Sequence, residues 1–198
     1  MSERGAMVAQ TGLRNQCGRA VAMTVANPIR PGRSVMLRFN FWLSRRVPAL
    51  AARLRKLSFI HFARWTIVNE FPYNGAPQER ETLKYKYLFF ISNYNGYFMQ
   101  YIDAFCHVVR FQMDWIWGNT YFWTKGAPAG ATKRTTRRLE FVASHYYGAY
   151  PEASATMILS ALALKPRFDA FHASVDGGSA EDFHRAYQRF VTDVQKYL

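Results

Sequence analysis

The stretch S-F-I-H-F-A-R-W-T-I-V, Ser58–Val68, decides the fold, because its apolar side chains alternate onto both faces of an extended chain. Phe59, His61, Ala63, Trp65 and Ile67 fall on one face, and Ile60, Phe62, Arg64, Thr66 and Val68 on the other. That pattern predicts a strand covered on both sides. The next run, Tyr85–Tyr94, repeats it, with Tyr87, Phe89 and Ile91 against Leu88, Phe90 and Tyr94. Asn93–Gly96 closes that run with turn chemistry, and the polar segment Tyr73–Lys84 between the runs reads as a hairpin loop.

Working downstream, Phe98, Tyr101, Phe105, Val109, Met113 and Ile116 recur at helical spacing and predict a helix from Tyr97 to Trp117. Gly118–Arg138 reads as a long connection of the lid or binding-loop kind, shortened by an edge strand at Thr120–Thr124. A third strand is expected over Leu139–Tyr147. A helix then runs from Glu152 to Lys165, stopped by Pro166, and Ser179 with Asp182 caps a last one. A hairpin, a crossover helix and a third strand predict an α+β fold over residues 58–198, a ferredoxin-like antiparallel sheet (split βαβ) with packed helices.

Working upstream, charge is the signal. The 198 residues carry a net +13, and residues 1–56 hold eleven Lys/Arg against the single acid Glu3, whereas residues 57–198 hold fifteen against twelve. Such asymmetry points to an anionic partner. Residues 1–33 read as a disordered basic segment, within which Met23 would serve equally well as a start. Residues 34–57 read as an N-terminal amphipathic helical arm that begins at Ser34 and divides near Val47, before Pro48. Its apolar positions are Val35, Phe39, Trp42, Leu43, Leu50, Leu54 and Leu57. Arg38, Arg45, Arg46, Arg53, Arg55 and Lys56 beside Trp42 have the chemistry of an interfacial membrane helix, which makes these seven the membrane-contact candidates. The competing reading packs the apolar positions on the domain and leaves the arginines in water. No stretch resembles a nucleic-acid recognition motif.

Two cysteines, Cys17 and Cys106, do not make a disulfide framework or a zinc site, and no apolar run approaches the roughly 18 residues of a membrane span. A cytoplasmic protein, peripheral on the inner membrane face, is expected. The five histidines show no metal-ligand spacing, no serine sits in an elbow motif, and no catalytic residue is assigned. A polar spot among aromatics is the expected ligand pocket, drawn from His61, Arg64, Asn93, Asn95, Trp123, His145 and Tyr147. His145 would face His61 if the third strand neighboured the first. Arg64, on the opposite face, needs an acceptor such as Glu140, Asp103 or a ligand anion.

Three motifs, I-H-F-A-R-W (60–65), L-F-F-I-S-N-Y-N-G (88–96) and H-Y-Y-G-A-Y-P-E-A-S (145–154), resemble a bacterial family of unknown function. More distantly they resemble the ferredoxin-like α+β barrel domains of dye-decolourising peroxidases. The resemblance covers roughly residues 58–165, and Asn95 stands where the nearer relatives carry an acid. It implies an oxidoreductase-like enzyme in which His61 or His145 would hold haem. The peroxidase motif G-x-x-D-G has its closest counterpart in A-S-V-D-G (173–177), which lacks the first glycine and reads as a turn. No cofactor is therefore expected from the residues themselves. Three functions stand at this point. The first is a peripheral membrane protein that binds lipid or a small hydrophobic ligand. The second is the oxidoreductase-like enzyme, and the third a homo-oligomeric assembly subunit, a homodimer through its sheet.

Overall fold

The structure, a computed structural model, describes residues 15–123, 128–143 and 145–197. It divides into two units, Met1–Glu152 and Ala153–Leu198. The first is a mixed α+β unit built on an antiparallel sheet. Its elements are β1 (Gln16–Cys17), β2 (Ala20–Pro28), α1 (Arg33–Arg46), α2 (Pro48–Ala52), β3 (Ile60–Val68), β4 (Tyr87–Asn95), α3 (Phe98–Val108), α4 (Arg110–Trp117), α5 (Ala129–Leu139) and β5 (Glu140–Phe141). The sheet runs β1–β2–β4–β3, and β5 also pairs with β2.

The hairpin of β3 and β4 is as the alternation predicts, with Trp65 opposite Phe90 and Ile67 opposite Leu88. Its partner is new. β2 pairs with β4 along its whole length, from Ala20 opposite Asn95 to Pro28 opposite Tyr87. The expectation of a disordered segment over residues 1–33 is thus corrected over Gln16–Pro28; the part over residues 1–14 lies outside the described residues. Met23 sits buried in the middle of β2. Residues 34–57 are not an appended arm either, because α1 is the crossover between β2 and β3.

Leu88, Phe90, Ser92 and Tyr94 of β4 are buried beneath the helices with Met23 and Val25 of β2, Leu37 of α1, and Tyr101, Phe105, Val109 and Met113. Tyr101 stacks on Tyr94 with ring centroids 3.9 Å apart and donates its hydroxyl to Ser92 Oγ at 2.9 Å. Ser92 in turn donates to the Phe62 carbonyl. The opposite sheet face is not covered as expected: Phe62, Arg64 and Phe141 are exposed on it. There Ala22, Thr24 and Ala26 of β2 face Asn93, Ile91 and Phe89 of β4. These small side chains leave room for Phe89 and Phe141 to stack across β2, 5.9 Å apart.

Three further expectations change. The long helix is broken at Val109 into α3 and α4. The connection before β5 contains α5, whose Thr132 is buried, whose Lys133 pairs with Asp103, and whose Arg137 lies over the Phe98 ring. Of the edge strand expected at Thr120–Thr124, the described residues show one bridge, between Thr120 and Ile29, and Thr124 lies outside them. The third strand shrinks to Glu140–Phe141, paired with Val25 and Thr24, because β1 occupies the same edge of β2 at Val21 and Ala20. Asn15 caps the junction, donating to the Phe141 carbonyl and accepting from the Ala143 N–H.

The second unit is a helix pair, α6 (Ala155–Val175) and α7 (Ala180–Val194), packed through Phe168 and Phe171 against Phe190 and through Phe171 against Phe183. α6 begins after Ser154, which caps the Met157 N–H, and runs through Pro166 instead of stopping there. Its packing on α7 beyond that point offsets the lost hydrogen bond. The A-S-V-D-G stretch closes α6 as a turn, with Gly177 at φ 75°.

Candidate functional site

The expected pocket does not assemble. β5 pairs with β2 and β3 with β4, so the third strand does not neighbour the one that carries His61, and His145 follows the end of β5. His61 sits at an irregularity between Ile60 and Phe62, and its Nε2 is buried with no hydrogen-bond partner. Arg64 is exposed, and neither expected acceptor reaches it, because Glu140 pairs with Arg137 and Asp103 with Lys133. Asn93 donates to the Tyr146 hydroxyl at 2.8 Å, and burial then pushes that hydroxyl's pKa up. Asn95 donates to the Arg19 carbonyl. Trp123 lies on the helix side, donating to Asp114 and packing on Trp117. Tyr147 is exposed. Of the seven, Asn93, Asn95 and Trp123 hold structural hydrogen bonds, whereas Arg64 and Tyr147 are exposed.

The membrane-contact candidates present a different picture. α1 meets the rest of the unit through Ser34, Leu37 and Asn40, with Phe41 packed at the core margin. Leu37 and Asn40 are 0% and 1% exposed. Along its outward side run Val35, Phe39 and Trp42, exposed by 71%, 52% and 51%. These positions, spaced four and three apart, form one row on the helix. Phe39 and Trp42 stack at 5.8 Å, and the Arg46 guanidinium lies 5.5 Å from the Trp42 ring centre. The competing expectation, that the apolar positions pack on the domain and leave the arginines in water, holds at Leu54 and Leu57 but not at Val35, Phe39 and Trp42, which are exposed.

Arg38, Arg45 and Arg46 are exposed on the same helix, and Arg53 and Lys56 follow it, also exposed. The Arg55 side chain lies outside the described residues. No Asp or Glu occurs between Glu3 and Glu70, so no acid within this stretch of sequence offsets these cations. The chemistry available is that of an amphipathic surface, apolar along one row and cationic beside it. Sequence reasoning found its charges and Trp42 but assigned Val35 and Phe39 no contact role; the row shared by all three was the available signal. It missed altogether a cleft beside α1, built by Arg30, Arg33 and Asn40 against the end of α4.

Among the described residues no cluster of His, Cys, Asp and Glu could hold a metal ion, and no helix is long and apolar enough to cross a membrane. No protein-family model, curated protein or solved structure matches this chain.

Proposed function

We propose that this protein binds peripherally to an anionic lipid surface through the outward face of α1. The observation that carries the reading is the exposed row Val35–Phe39–Trp42 on a helix whose inner face is fixed by Leu37 and Asn40. Large rings exposed in line, with arginines alongside and no acid on the helix itself, match what an interfacial helix needs. The apolar row gives the affinity, and the arginines hold the helix at an anionic leaflet. A ferredoxin-like sheet belongs to the same reading. It is supported by the order β5–β2–β4–β3 with α1 and α3–α4 as the two crossovers.

Flotation with vesicles tests this directly. The protein is expected to float with anionic vesicles at low salt, less at high salt, and weakly with neutral ones. Absence from the anionic vesicle fraction at low salt refutes the proposal.

A second reading, a homodimer formed through the open sheet face, is favoured by the exposure of Phe62, Phe141 and Val142. Light scattering that gives the mass of one chain across the micromolar range removes it.

A further inference from the structure

The second unit carries an apolar surface of its own, and its charge differs from that of the first. Residues 153–198 hold five Lys/Arg against five Asp/Glu, so the whole net +13 of the chain belongs to the first unit. From Ala153 to Leu164 no charged residue occurs. That stretch opens α6, whose ring contacts with α7 lie further along. Phe168 and Phe171 meet Phe190, Phe171 also meets Phe183 and Tyr187, and the Arg167 guanidinium lies over the Tyr197 ring.

Ahead of that contact zone Ile158, Leu159 and Leu162 are exposed by 42%, 56% and 66%. Leu162 precedes Phe171 by about two and a half turns, and so stands on the side of α6 away from α7. A helix apolar on both sides needs cover on both sides, and α7 supplies one. At the other end of the pair Phe168, Phe183 and Tyr187 form a second cluster, each about half exposed. Between the clusters Lys165 pairs with Asp169 at 2.8 Å, which leaves no net charge there.

The chemistry selects the occupant. An interfacial helix needs cations and aromatic rings beside its apolar positions, as α1 has, and residues 153–164 contain neither. A neutral unit is not drawn to an anionic surface, and it does not repel its own copy. The two clusters also match each other under a two-fold axis. With two helix pairs antiparallel, the aliphatic end of each meets the aromatic end of the other. The area suffices as well. Half of three aromatic side chains gives roughly 300 Å², and the three aliphatic ones add about 150 Å². A homodimer interface of ordinary size takes about 800 Å² from each partner, of which about 65% is apolar.

We infer that a second copy of this chain covers this surface, with Ile158, Leu159 and Leu162 of one copy packed against Phe168, Phe183 and Tyr187 of the other. The inference is independent of lipid binding by α1, and it uses a surface other than the open sheet face.

Light scattering and sedimentation equilibrium on the full chain test it. The mass is expected to rise toward that of two chains across the micromolar range. L162E and Y187K, at exposed positions, each weaken this association by roughly 100-fold or more. F62S, on the open sheet face, leaves it unchanged. Mixing L162E with Y187K restores dimers, because one junction gains a Glu–Lys pair and the other keeps Leu162 and Tyr187. Misfolded chains do not give that rescue. The mass of one chain at every concentration overturns the inference, as does a mixture no more associated than its parts. A dimer that F62S abolishes and L162E leaves intact overturns it in favour of the sheet face. L162E that dimerises like wild type and no longer floats with vesicles overturns it in favour of lipid.

Discussion

Replacing Phe39 and Trp42 together by serine separates a contact surface from a structural one. Each ring has about half its area exposed. With 150–250 Å² for a large aromatic, the pair offers roughly 200 Å² of apolar surface to a partner phase. At about 25 cal/mol per Å² that is at most ~5 kcal/mol, and an interface that immerses half of it yields about 2–3 kcal/mol. The double variant should therefore bind anionic vesicles roughly 30- to 150-fold more weakly. Its folding stability should move by no more than about 0.5 kcal/mol, because neither ring belongs to the core. Vesicle sedimentation gives the first number and urea unfolding the second. In wild type, tryptophan emission should also shift to the blue on binding. Unchanged vesicle affinity in the double variant would refute the reasoning. So would a stability loss above ~1.5 kcal/mol, which would show that the rings hold the fold.

Three further outcomes are expected. The variant R38Q/R45Q/R46Q should lose up to about 3 kcal/mol of binding to anionic vesicles, at ~1 kcal/mol per charge, and most of its salt dependence. A salt slope equal to that of wild type counts against the arginines. Gly18, at φ 57°, lies where an added Cβ would overlap the Pro151 backbone, and the next residue's N–H donates to the Pro151 carbonyl. G18A should cost ~2 kcal/mol or more, seen as a lower urea midpoint; a change under ~0.5 kcal/mol contradicts the close approach. Burial raises the pKa values of Tyr94 and Tyr101 well above the ordinary 10.0. Folding therefore favours their protonated forms, a contribution fully present below pH 10 and lost as pH rises above it. Stability should fall above pH 10 with a slope approaching ~1.4 kcal/mol per pH unit for each tyrosine, and Y101F should reduce that slope. An unchanged slope in Y101F places the alkaline loss elsewhere.

Much of the sheet was legible because its chemistry is local. β3 and β4 carry aromatic and β-branched residues in strict alternation, and the α3–α4 stripe keeps its period across the break at Val109. β2 was not legible, for a physical reason. It lies between β4 and the β1/β5 edge, and its open face must be small so that Phe89 and Phe141 can meet above it. Ala22, Thr24 and Ala26 meet that need, and they are the residues that carry little strand signal in one dimension. The A-G-A-T-K-R-T-T-R-R-L stretch hid α5 similarly, since glycine and threonine are poor helix formers and its support comes from Asp103 and Phe98 on another element. The neighbours of the site residues were not legible because strand pairing is a tertiary fact. His61 and His145 both look like strand residues in sequence, but His61 lies on β3 whereas the strand expected to carry His145 ends at Phe141.

α1 shows why the exposed row is not a packing failure. The helix can lie close to α4 only through small or narrow side chains, and Ser34, Leu37 and Asn40 supply them, with the Asn40 amide bonding the Trp115 carbonyl. Turning the helix to bury Trp42 would withdraw Leu37 from the core and strip that amide of its partner. Losing Leu37 burial alone costs about 2–5 kcal/mol by the measure of large-to-small core substitutions. Burying the half-exposed tryptophan gains at most ~2.5 kcal/mol by area. The inner face wins, so Val35, Phe39 and Trp42 stay outward whether or not a partner is present. A preorganised row needs no conformational change to meet an interface, and its binding should keep an apolar component after salt has screened the arginines. The residual affinity for anionic vesicles at high salt is therefore the quantity that Phe39 and Trp42 control. The part lost between low and high salt belongs to Arg38, Arg45 and Arg46.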